Sequence, residues 1–235
     1  MNTFSSFSQD TALVKTNSFI RSVYNWMAIA LALTGFTAYY VAHNETLFNL
    51  FFYTPGLMIM LIIAELGFVF FLAARIQKIK AGTATMLFTV YSILNGITMS
   101  YIFIRFTDSS IASTFAVCAL TFGACSIYGM VTKKDLTSLG GFMMMGLIGI
   151  IIATVVNIFV QSSAMQMIIS YIGVMVFMGL TAYDTQKLKT MSATMPDNAT
   201  GSMIRKGAIM GALALYLDFI NLFIMLLHIL GGSRD

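Results

Sequence analysis

Seven runs of mostly apolar residues dominate this chain, each near the roughly 20 residues that a helix needs to cross a bilayer. They lie at about 22–42, 56–74, 84–104, 111–131, 139–160, 164–186 and 207–230, joined by short connections. No room remains for a second domain. Residues 21–231 therefore read as one transmembrane domain and residues 1–20 as a short cytoplasmic tail. Only 9% of the residues are charged, where soluble domains carry about 25%, and the mean hydropathy is +0.86. A membrane β-barrel would show short alternating segments, and these are absent. The expected fold class is an all-α integral membrane protein of seven transmembrane helices.

The basic residues set its orientation. Eleven of the 13 Lys and Arg residues fall in alternate connections: Lys15 and Arg21; Arg75, Lys78 and Lys80; Lys133 and Lys134; Lys187, Lys189, Arg205 and Lys206. The opposite side holds only Arg105 and Arg234. By the positive-inside rule the N-terminus is expected in the cytoplasm and, after an odd number of spans, the C-terminus outside. One missed span would scramble this asymmetry, so it also supports the count of seven. The first run follows a polar stretch, is long, and has no small-residue cleavage site, which argues against a cleaved signal.

Several chemistries find no support. Cys118 and Cys125 stand seven residues apart on one span, about 10 Å along a helix axis, too far for a disulfide. They read as packing residues. There is no CxxC, HExxH or P-loop. His43 and His228 are too far apart in sequence to suggest a metal site, and the last span lacks the Lys that a retinal Schiff base needs. The basic clusters lie between apolar runs, so the net charge of +4 does not point to nucleic acid.

Of nine acidic residues, Asp10, Glu45, Asp108, Asp135, Asp197 and Asp235 lie in tails or loops, which leaves Glu65, Asp184 and Asp218 inside spans. A carboxylate at a helix centre costs about 2.5–3.5 kcal/mol on insertion scales, and such groups usually face the bundle interior and mark ion or proton paths. Asp218 shares a stripe with Gly207, Gly211, Ala214 and Asn221 at helical spacing. Small residues admit close neighbours, so the stripe is expected to face protein, burying the carboxyl with the Asn221 amide. A plainer reading makes Asp218 a protonated interhelical tie. Asp184, in "GLTAYDTQKLK", either meets Asp218 across the contact of spans 6 and 7 or pairs with Lys187 at the interface. The first option faces a mismatch in depth: Asp184 is three residues from Lys187, whereas Asp218 is 13 from Arg205. Helix 7 would have to begin before the bilayer, or a water-filled funnel lower the effective surface. Glu65 either lines the same cavity or is a neutral, hydrogen-bonded residue. Arg75 either pairs with Asp184, a charge-assisted contact, or snorkels to headgroups.

"GALALYLDFINLFIMLLHILG" in span 7, "GLTAYDTQKLK" in span 6 and residues 122–159 across spans 4 and 5 resemble the Bax inhibitor-1 family, in its bacterial form. The likeness runs from about residue 19 to 231. It implies a seven-helix fold with the last helix at the centre of the bundle, and a pH-sensitive Ca²⁺ leak across a bacterial cytoplasmic (inner) membrane. It also implies that Asp184 and Asp218 are the family's paired aspartates, that Glu65 is its acidic residue in span 2, and that Arg75 is its cytoplasmic latch. Two departures stand out. Span 3 reads "NGITMSYIF" where many members have Gly-Pro, and His228 replaces a common Arg.

Two carboxyls held close in a low dielectric cannot easily both ionise. Sharing a proton would tie helix 6 to helix 7; losing it would favour separation or recruit a cation, and Ca²⁺ takes oxygen ligands. The expected function is a proton-gated Ca²⁺ leak, with Asp184 and Asp218 as sensor and transient Ca²⁺ ligands, Arg75 as latch, and Glu65 and Asn221 along the pathway. No cofactor is expected; the partners are lipid, protons and Ca²⁺. The main alternative is a regulatory protein that binds a membrane protease or stress-response factor without transport. A proton-coupled transporter of another solute also stays open. An intramembrane aspartyl protease is disfavoured, because "LYLD" replaces Gly-x-Gly-Asp and no Pro-Ala-Leu segment occurs. The chain is not expected to be an enzyme.

Overall fold

A computed structural model describes residues 3–196, 198–232 and 234, with side chains from Asn17 onward. Asp197, Asp235 and the side chains of the tail, Asp10 and Lys15 included, lie outside the described residues. Among the described residues there are nine helices and no strand: α1 (Thr3–Ala42), α2 (Glu45–Tyr53), α3 (Leu57–Arg75), α4 (Ala81–Met99), α5 (Ile102–Arg105), α6 (Asp108–Val131), α7 (Thr137–Val160), α8 (Ser163–Ala193) and α9 (Gly201–Leu230). Seven segments are long and apolar enough to cross a membrane, with α4 and α5 forming one of them. The all-helical, seven-span architecture is therefore the one the apolar runs predict.

Local chemistry sets the boundaries. Asn44 caps α2 by accepting from the Leu47 N–H at 3.0 Å, and Thr107 caps α6 by accepting from the Ser110 N–H at 3.3 Å, the usual way to satisfy orphan donors. Gly56 turns the chain into α3 with φ 79°, a conformation that favours glycine. The third span breaks without proline: the Ser100 hydroxyl and N–H both donate to the Ile97 carbonyl, at 2.6 and 3.2 Å. Three differences from the predicted runs matter. Backbone helix begins at Thr3, within the segment read as a tail; α2 lies in a stretch read as a loop; and α8 and α9 extend past Lys187–Lys189 and Arg205–Lys206.

The chain forms two compact units. The first holds residues up to Ile104 with Leu188–Leu213. In it Gly96 lets α4 approach α1 so closely that a Cβ would stand 2.7 Å from the Thr34 carbonyl oxygen, while the Thr34 hydroxyl donates to the Ser92 carbonyl at 2.8 Å. Val41, Leu61 and Ile97 make a small core, with Leu47 and Phe51 of α2 packed on it. The basic start of α9 is seated here: Arg205 stacks on Trp26 at 5.5 Å and donates to Thr85, and Lys206 donates to the Gln77 carbonyl at 3.0 Å.

The second unit holds Arg105–Lys187 with the rest of α9 from Ala214. Gly146, Gly173 and Gly179 bring α7, α8 and α9 together against Val176, Met225 and Met143. Of the seven spans, α9 has the largest buried share and α7 the smallest, so α7 is the helix with most side chain left for lipid. Beyond α9 the Arg234 guanidinium pairs with Asp108 at 3.0 Å.

Candidate functional site

Asp218 lies on the second-unit part of α9 and is only 5% exposed, and its Oδ2 has no hydrogen-bond partner among the described residues. An unpaired buried polar group costs about 1–3 kcal/mol, so the surrounding packing has to hold it. The next residue supplies much of that packing. The Phe219 ring meets Phe115 and Phe122 of α6 edge to face, both at 5.4 Å. The Cys118 thiol points at the Phe219 carbonyl, 3.7 Å away. Cys118 and Cys125 are both free thiols.

Asp184 of α8, half-buried, is within electrostatic reach of Asp218 and also of Lys187. Both aspartates thus lie on helices that touch in the second unit, where Gly173 of α8 packs on Met225 of α9. Two features of α8 and α9 bear on the mismatch in depth. In the first unit Leu188 packs on Gly211, and Met191 on Gly207 beside Phe19. Five residues of α8 follow Leu188, but ten of α9 precede Gly211. The start of α9 therefore overshoots the end of α8.

The stretch bearing Asp184 is anchored on several sides. Ala182 sits so close to Gly129 of α6 that a Cβ there would collide with its carbonyl oxygen, and Tyr183 covers Gly140 of α7, where a Cβ would lie 2.5 Å from the ring. The Thr185 hydroxyl donates to Ser126 at 3.3 Å. Gln186 grips the loop between α6 and α7: its Oε1 accepts from the Leu136 N–H and its Nε2 donates to the Lys134 carbonyl, both at 2.8 Å. Sequence reading missed these supports. The glycines of "YGMVTKKDLTSLGG" were the available signal, since two of them fall where helices must touch.

The other candidate residues are placed differently. Asn221 is half-buried and donates to the Leu217 carbonyl of its own helix at 2.8 Å. Glu65 belongs to the first unit, where it accepts from the Thr98 hydroxyl at 2.9 Å and the Asn95 amide at 3.5 Å, both on α4. That is the hydrogen-bonded arrangement weighed above as one of its two readings. Arg75 ends α3 exposed, and its guanidinium forms no ion pair among the described residues. At the far end of α9, His228 lies 3.5 Å from the Gln166 amide and 6.1 Å from the Phe106 ring.

Among the described residues no group of three or more His, Cys, Asp or Glu side chains could hold a metal. Ca²⁺ takes six to eight oxygens, so Asp184 and Asp218 do not make a resident Ca²⁺ cage.

The family model described as "Inhibitor of apoptosis-promoting Bax1" matches residues 16–235. The chain is 51% identical over 217 residues to the inner membrane protein YbhL of Escherichia coli K12, covering 92% of both chains. It is 44% identical to a Rickettsia prowazekii protein, over 92% of this chain and 90% of that one. A Deinococcus radiodurans protein is 42% identical, over 97% and 95%.

Proposed function

The chain belongs to the family of inhibitors of apoptosis-promoting Bax1, and on that premise we propose that it is a pH-sensitive Ca²⁺ leak pathway gated by Asp184 and Asp218. We place it in a bacterial cytoplasmic membrane, N-terminus inside and C-terminus outside, in keeping with the inner-membrane relative and the distribution of basic residues. The reading assigns no bond-breaking step and no cofactor.

One observation carries it: a carboxyl buried to 5% exposure, one oxygen unpaired, with a second carboxyl within electrostatic reach. Ionising both in a low dielectric is unfavourable. A proton on the pair relieves the repulsion and lets one carboxyl donate to the other. Its loss leaves two like charges, which favours parting of α8 and α9 or entry of a cation. Ca²⁺ is attracted by the charge and by carboxylate oxygens. Arg75, exposed at the end of α3, is available as a latch for a carboxylate in the closed state; Glu65 and Asn221 are assigned to the ion path.

The test is Ca²⁺ flux into liposomes carrying the purified protein, measured from about pH 6 to about pH 8, since a coupled pair titrates with shared values. The wild type is expected to show flux that varies with pH; Asp184→Asn and Asp218→Asn are expected to lose that variation. Variants with the wild-type pH profile would remove the aspartates from gating. A protein without flux at any pH would return the reading to a regulatory binder of membrane proteins.

A further inference from the structure

The Gln186 clasp has a consequence for the orientation of α8. Successive side chains on a helix are about 100° apart, so the contacts of residues 182–186 fix where each face of α8 points. Ala182 and Thr185 lie on the side of Gly129 and Ser126 of α6. Tyr183 lies on Gly140 of α7, and Gln186 reaches the α6–α7 loop between those two faces. Asp184 is left on the opposite side, the face on which Gly173, about three turns earlier, packs against Met225 of α9, the helix of Asp218. A turn of α8 by one residue position would carry Asp184 off that side.

Packing at two glycines limits this rotation sterically, but apolar and ring contacts tolerate sliding. The Gln186 amide differs. It donates to one backbone group and accepts from another two residues away, which fixes both its height and its angle relative to the loop. The loop is itself braced: the Asp135 carboxylate accepts from the Thr137 N–H at 2.8 Å at the start of α7.

We propose that Gln186 is the positioning residue of the aspartate pair: by clasping the Lys134–Leu136 backbone, it sets the rotation of α8 that turns Asp184 to Asp218. This rests on the reading that the two aspartates titrate together. Lys187, three residues on from Asp184, acts on it electrostatically, and the clasped loop carries Lys133, Lys134 and Asp135. Of the packed elements, α6 carries Asp108, Cys118, Cys125 and Tyr128, α7 carries no charged residue, and the second-unit part of α9 carries Tyr216, Asp218 and His228. None of these is changed by substituting Gln186, so a change in titration reports geometry.

The test uses the full-length protein in lipid, comparing wild type, Gln186→Met, which keeps the bulk without polar atoms, and Gln186→Asn, equally uncharged but one methylene shorter than the clasp needs. Infrared difference spectra across pH follow the protonated carboxyl band, with Asp218→Asn identifying the component that belongs to the pair. Hydrogen exchange of the 134–137 amides reads the clasp itself. In Gln186→Met, loop exchange is expected to rise by about tenfold or more, and the midpoint of the carboxyl band to move by at least about half a pH unit. Gln186→Asn leaves the charge unchanged and is expected to loosen the loop and move the midpoint in the same direction. Faster loop exchange with an unmoved midpoint overturns the proposal. So does an unmoved midpoint in Gln186→Asn, should Gln186→Met fail to fold. Ca²⁺ flux measured on the same samples separates the two claims: a moved midpoint in a protein without flux upholds the positioning role and removes the leak.

Discussion

At the scale of single residues, Asp218 and Asp135 show how differently two carboxyls can be held. Asp218 is buried, with one carboxyl oxygen unpaired among the described residues. Asp135 is exposed, outside the spans, and bonded by the Thr137 hydroxyl and N–H, which hold its carboxyl below the ordinary value of 3.8. A lowered folded value contributes stability that is present above the unfolded value and is lost as pH falls through the folded one. Asp135→Asn keeps an acceptor but cannot ionise. The difference in Tm between wild type and this variant is therefore expected to be constant above about pH 5 and to shrink on further acidification; a difference that grows instead would contradict the assignment. Asp218 was legible in the sequence, because a carboxylate amid apolar residues on a Gly/Ala stripe has few cheap explanations. Its missing partner was not, since hydrogen bonding across helices depends on rotations that spacing does not set. Asn221 illustrates the limit. It shares the stripe with Asp218, yet its amide is taken by its own helix.

Among the helical elements, glycines decide which of them touch. Gly140 and Gly141 are sequence neighbours with opposite surroundings. A Cβ on Gly140 would press into the Tyr183 ring, whereas one on Gly141 would meet nothing within 4 Å. Gly140→Ala is expected to destabilise the protein by about 1–3 kcal/mol, the usual cost of overpacking. Gly141→Ala is expected to be neutral or to stabilise slightly, by up to about 1 kcal/mol of helix propensity. Thermal unfolding in one detergent compares them directly, and equal effects would show that the α7–α8 contact is not this close. The apolar runs located all seven spans, but not the ends of α8 and α9. Charged residues marked the expected membrane boundary, and a helix continues through such a boundary as long as its backbone bonds are satisfied. The α2 helix escaped notice for the reverse reason: nine residues are too few to register as a span.

For the molecule as a whole, length, charge and the alternation of basic connections defined a seven-span, all-helical membrane protein, and the family match covers residues 16–235. The Gln186 clasp and the Asn95–Thr98 partners of Glu65 were not legible, because each joins residues distant in sequence through side chains of ordinary type. The account makes one central claim, that the proton on the aspartate pair governs the contact of α8 with α9. Its most direct test is the separation of the Asp184 and Asp218 carboxyls in structures determined in lipid at about pH 6 and about pH 8, the same range as the flux measurement. The account predicts carboxyls in direct contact in the protonated state and parted, or bridged by a cation, in the deprotonated one. An unchanged separation, in a protein whose Ca²⁺ flux nonetheless varies over the same range, would contradict it.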